Sequence, residues 1–186
     1  PTRRSSDLYE NAVAAMLAAE LFFEKYFAGK KSVPERKALQ HAIREGIDRT
    51  QWMGRMELVS NDPFFLMDGA HNSNGVEALK KSLETMYPDE KFHFIMGVMA
   101  DKDYGGMIRG LLPLALDFKT VTVESERALQ GEALADCIRA KGIPAEAYRN
   151  LEDVLPDFSK SSAEKTVAFG SLYFIGEIEA FLRGKQ

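Results

Sequence analysis

Apolar residues switch between strand spacing and helix spacing along the last two thirds of this chain. The run FFLM at 64–67 is typical of a buried strand, and from Val76 the apolar positions follow helical spacing through Leu79 and Leu83. The same alternation predicts further strands at 92–97, 118–123, 145–148 and 166–169, with helices between them and a short helix at about 151–158. Strands that alternate with helices indicate an α/β domain with a mainly parallel sheet and right-handed crossovers.

The first third of the chain has a different pattern. Apolar residues recur at helical spacing from Leu8 to Phe27 and again from Pro34 onward, and no strand pattern lies between them. The glycine-lysine-lysine-serine run at 29–32 lacks the upstream glycine and the preceding strand of a phosphate-binding loop. An alternating strand begins at Met56, so we predict two domains, 1–51 and 52–186.

Composition and charge exclude several classes of protein. The 186 residues carry a net charge of −4 and are 45% hydrophobic, which argues against a protein that binds nucleic acid through phosphate contacts. The single cysteine, Cys137, excludes a disulfide framework and a cysteine-based metal site. No apolar run reaches membrane-spanning length, and no signal peptide is evident. We therefore expect a cytoplasmic protein with neither nucleic-acid nor membrane partners.

The turn after the first buried strand carries candidate chemistry. The stretch FFLMDGAHNSNG at 64–75 places Asp68 at the end of the strand and His71 just before the next helix. In parallel sheets, ligands bind beyond the carboxyl ends of the strands, and a helix N-terminus offers free N–H groups to anions. The alternative is an ordinary turn in which the Asp and His only satisfy local hydrogen bonds.

Other polar side chains follow the remaining predicted strands. Because the carboxyl ends of parallel strands lie at one edge of a sheet, these groups are expected to converge on a single rim. The set combines carboxylate, cationic and hydroxyl groups, which suit a small polar anion such as an amino acid or a phosphate: Asp68, His71, Lys102, Ser125, Arg127 and Ser171.

Arg55 precedes this domain in the stretch TQWMGRMELV, next to Gly54, which allows the chain to bend. An arginine held at such a hinge suits an anion, because its guanidinium stays charged and binds phosphate with two parallel hydrogen bonds. The alternative is a surface arginine paired with Glu57 or another carboxylate.

Taken together, these motifs resemble the C-terminal part of folylpolyglutamate synthase, an enzyme that in bacteria is often also a dihydrofolate synthase and belongs to the Mur ligase superfamily. The resemblance is carried by TQWMGRMELV, FFLMDGAHNSNG, GVMADKDYGGMI, SERAL and FGSLYFIGEI. Residues 8–50 resemble the last helices of the central ATPase domain, and 55–186 resemble the complete C-terminal domain. The implied fold is Rossmann-like.

The resemblance implies an ATP-dependent ligase that forms an amide bond. ATP would phosphorylate a carboxylate of folate or dihydropteroate, and the amino group of L-glutamate would then attack the acyl phosphate. The implied cofactors are ATP and Mg²⁺, with the metal ligands in a region that precedes this chain and none within it. The expected partners are these small molecules, and we expect a monomer.

The resemblance also implies roles for individual residues, because each of them matches a position of a family motif. It assigns ATP contacts to Asn11, Arg55 and Asp68, glutamate contacts to His71 and Ser171, and catalytic roles to His71, Asp68 and Lys102.

The sequence departs from the family pattern at several points. The family usually has a proline where Ser73 stands, and a serine can still cap the helix. A histidine–glutamine pair is expected upstream of Asn11, where Asp7 and Leu8 stand instead. No P-loop occurs in the 186 residues, so we expect the chain by itself to hydrolyse no ATP and to ligate no glutamate.

Two other functions remain open at this point. The first is a different ligase of the same superfamily, which would add another amino acid to another carboxylate. The second is a non-catalytic Rossmann-like binding module that has kept the polar rim but not the chemistry.

Overall fold

The structure is a computed structural model that describes residues 6–28, 36–49 and 54–184. The chain divides into two compact units, of which one spans Arg4–Trp52 and the other contains everything from Met53 onward. The first unit contains two helices that contact each other, α1 (Ser6–Phe27) and α2 (Arg36–Arg49). Its assignment to a central ATPase domain stays a prediction. The glycine-lysine-lysine-serine run and Pro34 lie outside the described residues.

The second unit is an α/β domain built on a six-stranded sheet. The strands are β1 (Glu57–Asn61), β2 (Phe64–Asp68), β3 (Phe92–Met96), β4 (Ala115–Val121), β5 (Ala145–Tyr148) and β6 (Lys165–Phe169). The helices are α3 (Ser73–Met86), α4 (Tyr104–Leu111), α5 (Gly131–Arg139) and α6 (Leu172–Gly184). The sheet order is β1-β2-β6-β3-β4-β5, and only β1 is antiparallel to its neighbour. This confirms the predicted mainly parallel, Rossmann-like fold.

Apolar layers cover both faces of the sheet. All five residues of β2 are buried, as expected for a strand with a layer on each side. One layer contains Phe94, which stacks on Phe118 with 5.2 Å between the ring centroids. The other layer includes Ile95 and Phe174. Burial on both faces fixes the sheet rigidly beneath the loops at its carboxyl edge.

The order of the strands positions the functional loops. Strand β6 lies between β2 and β3, so that Phe169 pairs with Asp68 on one side and with Met96 on the other. Met96 in turn pairs with Thr120 of β4. The four strand ends are therefore side by side, and the loops that follow β2, β6, β3 and β4 begin at the same edge of the sheet.

Two predicted elements had the wrong boundaries. Strand β4 begins at Ala115 and ends at Val121, earlier than the predicted 118–123. The predicted helix at 151–158 is only a 3-10 turn at Leu151–Asp153. Leu155 precedes Pro156, and the helical backbone conformation is disfavoured for a residue that precedes proline, so a longer helix cannot continue through this point. Helix α3 begins at Ser73 because Asn72 accepts a hydrogen bond from the Gly75 N–H at 2.8 Å, so Asn72, not Ser73, is the cap.

No helix among residues 6–28, 36–49 and 54–184 combines the length and the apolar character that a bilayer-spanning segment needs.

Candidate functional site at the carboxyl edge of the sheet

Asp68 holds the first turn of the site in place. Its side chain is buried, and both of its carboxylate oxygens accept backbone hydrogen bonds. Oδ1 accepts from the N–H of Ala70 at 2.8 Å, and Oδ2 accepts from the N–H of Met56 at 2.9 Å. The ionised carboxylate thus binds the loop before β1 to the turn after β2, and local hydrogen bonds account for the conformation of this part of the turn.

Arg55 lies in the loop that Asp68 holds. Its two neighbours have positive φ angles, +68° at Gly54 and +44° at Met56, and a methionine rarely adopts such a backbone conformation. The Gly54 N–H donates to the Glu57 side chain at 2.8 Å. Arg55 is partly buried and stands between two residues whose backbone is fixed by hydrogen bonds.

His71 is oriented by the same turn. Its Nδ1 lies 2.8 Å from the carbonyl oxygen of Gly69, and because a carbonyl only accepts, Nδ1 carries a proton in this contact. Nε2 of the neutral ring therefore has a free lone pair. A Cβ added to Gly69 would displace the end of the exposed Leu172 side chain and would lie 3.1 Å from the carbonyl oxygen of Gly54, so a glycine lets this turn pass close to the loop before β1.

Ser171 sits at the start of α6, directly after Gly170. The φ angle of Gly170 is +123°, and an added Cβ would lie 2.5 Å from the carbonyl oxygen of Gly97. The Gly170 N–H donates to the carbonyl of Ala70 at 3.0 Å, which joins the loops after β6 and β2. Ser171 is 3% exposed, and its hydroxyl oxygen accepts from the Tyr173 N–H at 3.1 Å. Ser171 therefore caps α6 as well as facing the site.

Lys102 and Arg127 bring positive charge from the loops after β3 and β4. Nζ of Lys102 lies 3.1 Å from Oδ2 of Asp101, and Nη2 of Arg127 lies 2.9 Å from the same oxygen. The hydrogen bond from Lys102, reinforced by the charge of Arg127, lowers the pKa of the Asp101 carboxyl below its usual value. Asp101 is therefore ionised at neutral pH and is shared by two cations.

These loops enclose a cavity of about 210 Å³. It is smaller than the roughly 300–1,000 Å³ typical of sites for drug-sized ligands, and thus suits a small ligand. Its lining residues are His71, Met99, Lys102, Arg127, Gly170, Ser171, Leu172 and Tyr173. Four of these residues have side chains of the kinds that bind carboxylates, an imidazole, an ammonium, a guanidinium and a hydroxyl, although most of the surface that faces the cavity is apolar.

The cavity joins three of the residues to which the resemblance gave roles, His71, Lys102 and Ser171. Arg55 and Asp68, both within the described part of the chain, do not line it. Asn11 is exposed on α1, in the other unit.

Arg127 is the residue that the sequence-based assignment of roles left out. Its position after a strand end placed it on the predicted rim, and the SERAL motif was the available signal. Ser125, also on that rim, does not line the cavity; its hydroxyl oxygen accepts from the Arg127 N–H at 3.3 Å. Ser125 thus shapes the loop that presents Arg127.

Across the three described segments, no group of three His, Cys, Asp or Glu side chains is arranged to hold a metal ion.

Comparisons with known proteins agree with this architecture. The family described as "Mur ligase, glutamate ligase domain" matches residues 54–170. The dihydrofolate synthase/folylpolyglutamate synthase of Bacillus subtilis (strain 168) is 29% identical over 177 residues, which are 94% of this chain and 39% of that protein. The chain therefore spans well under half the length of this relative.

Solved structures give the same picture. The folylpolyglutamate synthase of Thermotoga maritima is 27% identical, with a TM-score of 0.65 over 79% of this chain and 34% of its own. The folylpolyglutamate synthase of Mycobacterium tuberculosis, complexed with ADP and AMPPCP, has the same fold, with a TM-score of 0.68 at 24% identity over 85% of this chain and 37% of its own. On the family match over residues 54–170, this chain belongs to the Mur ligase family and contains its glutamate ligase domain.

Proposed function

We propose that this chain is the glutamate-accepting part of an ATP-dependent ligase that adds L-glutamate to folate, and that the cavity at the carboxyl edge of the sheet binds the incoming glutamate. The observation that carries the proposal is the convergence of Lys102, Arg127, His71 and Ser171 on one small cavity. L-Glutamate has two carboxylates, and two cationic side chains together with a hydroxyl provide complementary partners for them.

The reaction needs an activated acceptor, because a carboxylate at neutral pH has no adequate leaving group. In the proposed reaction, a carboxylate oxygen of the folate attacks the γ-phosphorus of ATP, and ADP leaves. The glutamate nitrogen then attacks the acyl carbon of the resulting acyl phosphate, the C–O bond to phosphate breaks, and the amine loses a proton. Catalysis of this kind depends mainly on positioning and on cationic stabilisation of developing charge.

His71 and Lys102 are the proposed catalytic residues inside the cavity. The free lone pair on Nε2 of neutral His71 can accept a hydrogen bond from the glutamate amine and orient it for attack. The ammonium of Lys102 can stabilise negative charge on the acyl or phosphoryl oxygens. Ser171 would donate its hydroxyl proton to a glutamate carboxylate, because its oxygen already accepts from the Tyr173 N–H.

Arg55 and Asp68 are proposed to act on the nucleotide side. Asp68 fixes the backbone directly after Arg55 through the Met56 N–H, so its main contribution would be to position the guanidinium that contacts a phosphate. Asn11 is proposed to approach the adenine. The M. tuberculosis protein was crystallised with ADP and AMPPCP, which supports ATP as the cosubstrate. Mg²⁺ is proposed to be held by residues outside this chain.

A chimeric enzyme tests the proposed reaction. In it, this chain replaces the 177 matching residues of the B. subtilis relative, and glutamate-dependent release of ADP is measured with folate substrates. We expect ligation of glutamate, and we expect Arg55→Ala to lower turnover strongly while Ser171→Ala mainly raises the KM for glutamate. The unmodified relative is the positive control.

Two results would contradict the proposal. Ligation of another amino acid in preference to glutamate would identify a different Mur-type ligase. A chimera that folds and binds ADP but ligates no amino acid would favour a non-catalytic binding module. Binding of ADP, measured separately, distinguishes this second outcome from misfolding.

A further inference from the structure

Asp101 contacts both of the cationic side chains that line the cavity, although it does not line the cavity itself. A single oxygen, Oδ2, lies 2.9 Å from Nη2 of Arg127 and 3.1 Å from Nζ of Lys102. Asp101 therefore forms ion pairs with both side chains, and its single carboxylate partly neutralises the two cations. Together the three side chains therefore carry one net positive charge, not two.

The loops that carry these residues do not depend on Asp101 for their arrangement. The Ala100 N–H donates to the carbonyl of Arg127 at 2.8 Å, and the Leu129 N–H donates to the carbonyl of Val98 at 2.9 Å. Met99 and Ala128 form an antiparallel bridge between these two contacts. Because backbone hydrogen bonds already join the two loops, the Asp101 side chain is available to act through its charge and through the orientation of its partners.

We propose that Asp101 lowers the positive charge at the cavity and thereby limits its preference for dianions over a ligand with one net negative charge, the charge class of an acidic amino acid. This inference rests on the proposed function, because it concerns the same cavity. Asp101 is a positioning residue that acts through Lys102 and Arg127. Without its charge, two uncompensated cations would strengthen the binding of dianions more than that of L-glutamate, and a neutral amino acid would gain nothing.

The expected effect is modest. Asp101 has 46% of its side chain exposed, so water screens its charge. Exposed ion pairs have small energies, which correspond to about a threefold change in affinity for each unit of ligand charge. Because electrostatic energy is proportional to charge, a ligand with two negative charges should change by about the square of that factor, roughly ninefold.

A charge series of ligands tests the proposal. The 186-residue chain and its Asp101→Asn variant are titrated by NMR at low ionic strength with L-glutamine, L-glutamate and glutarate, whose net charges are zero, one negative and two negative. Asparagine has the shape of aspartate and keeps one acceptor oxygen for the two cations. We expect the variant to bind glutamine unchanged, glutamate about threefold more tightly and glutarate about ninefold more tightly.

Two controls separate charge from structure. Asp101→Glu retains the negative charge and should bind each ligand within about twofold of the parent chain. The differences between the parent chain and Asp101→Asn should shrink in about 1 M salt, where the Debye length is about 3 Å. A change that is equal for all three ligands would mean that Asp101 has only a structural role, and it would overturn the proposal.

The test also distinguishes this inference from the proposed function. If neither glutarate nor L-glutamate binds to either protein, the cavity is not an anion site and both proposals fail. If Asp101→Asn changes the affinities in proportion to ligand charge but the parent chain binds glutamine more tightly than L-glutamate, Asp101 keeps its role and glutamate is the wrong substrate. If Asp101→Asn changes no affinity while the parent chain binds glutamate more tightly than glutamine, only the role of Asp101 is overturned.

Discussion

The carboxylate of Asp68 accepts a hydrogen bond from the backbone N–H of Met56, with 2.9 Å between Oδ2 and the nitrogen. This contact joins two parts of the chain that are twelve residues apart, the loop that presents Arg55 and the turn that presents His71. A buried carboxylate with two backbone donors is a strong local constraint, because each donor would otherwise be left without a partner.

Replacement of Asp68 should therefore destabilise the α/β domain. In Asp68→Asn an amide NH₂ would face one of the two backbone N–H donors, so that one hydrogen bond would be lost. Hydrogen bonds to charged groups contribute about 1.5–3 kcal/mol each. We expect a loss of roughly that size in the free energy of unfolding, measured by urea denaturation. If Asp68→Asn unfolded at the same urea concentration as the parent chain, the carboxylate would not be holding the turn.

The glycine that precedes Ser171 gives a second prediction. Gly170→Ala combines a φ angle of +123° with a Cβ placed 2.5 Å from the Gly97 carbonyl oxygen, so we expect it to lower stability by about 3 kcal/mol. Gly176→Ala in the same region is the matched control. Nothing lies within 4 Å of its added Cβ, and alanine favours helix, so it should raise stability by about 0.5–1 kcal/mol. Equal effects of the two changes on thermal unfolding would contradict the description of the Gly170 turn.

Ser171→Ala should weaken binding of L-glutamate. The change removes one hydrogen bond to the ligand, worth about 0.5–1.5 kcal/mol, which corresponds to about a two- to tenfold rise in Kd. It also removes the cap of α6 and should cost about 1 kcal/mol of stability. Ser82→Ala is the control, because Ser82 is equally buried but donates to the carbonyl of Ala78 within α3. An unchanged Kd for Ser171→Ala in calorimetric titrations would remove Ser171 from the site.

Most of the fold could be predicted from the sequence because strands that are buried on both faces appear as continuous apolar runs. Strand β2 was predicted with its observed residues, since a short apolar run that ends at a glycine is typical of a strand covered on both faces. Strand β4 was misplaced because its first residues, Ala115–Asp117, are only partly buried or exposed and carry no strong apolar pattern.

The site was predicted less completely than the fold. Residues that directly follow the strands were predicted to lie at one rim of the sheet. Three of them, His71, Lys102 and Ser171, line one cavity. The sequence could not show that β6 lies between β2 and β3, so it could not show that the loop carrying Ser171 adjoins the loop carrying His71. Nor could it show that Asp101 is shared by Lys102 and Arg127, which depends on the antiparallel contact between their loops.

Glu177 provides a prediction about pH. Its Oε1 accepts from the Glu124 N–H at 2.7 Å, and burial raises the pKa of its carboxyl above the ordinary value of 4.5, opposed in part by that hydrogen bond. The folded state therefore binds the proton more tightly than the unfolded state, so the contribution of Glu177 to stability falls as the pH rises from below 4.5 through the raised pKa.

Glu177→Gln removes this titration and keeps an oxygen that can accept from Glu124. We therefore expect the stability of the variant, relative to the parent chain, to be greater at neutral pH than at pH 4. The measurement is the difference in Tm between the two proteins at each pH. A difference in Tm that is the same at both pH values would show that burial does not disfavour the ionised form of Glu177.

The loops after β2, β3, β4 and β6 are proposed to form a site for L-glutamate. The most direct test is a heteronuclear NMR titration of the 186-residue chain with L-glutamate, with L-glutamine as the neutral control. We expect saturable shifts of the backbone amides of His71, Lys102, Arg127 and Ser171, and markedly weaker binding of glutamine. Saturable shifts centred away from these loops, or equal binding of the two amino acids, would contradict this proposal.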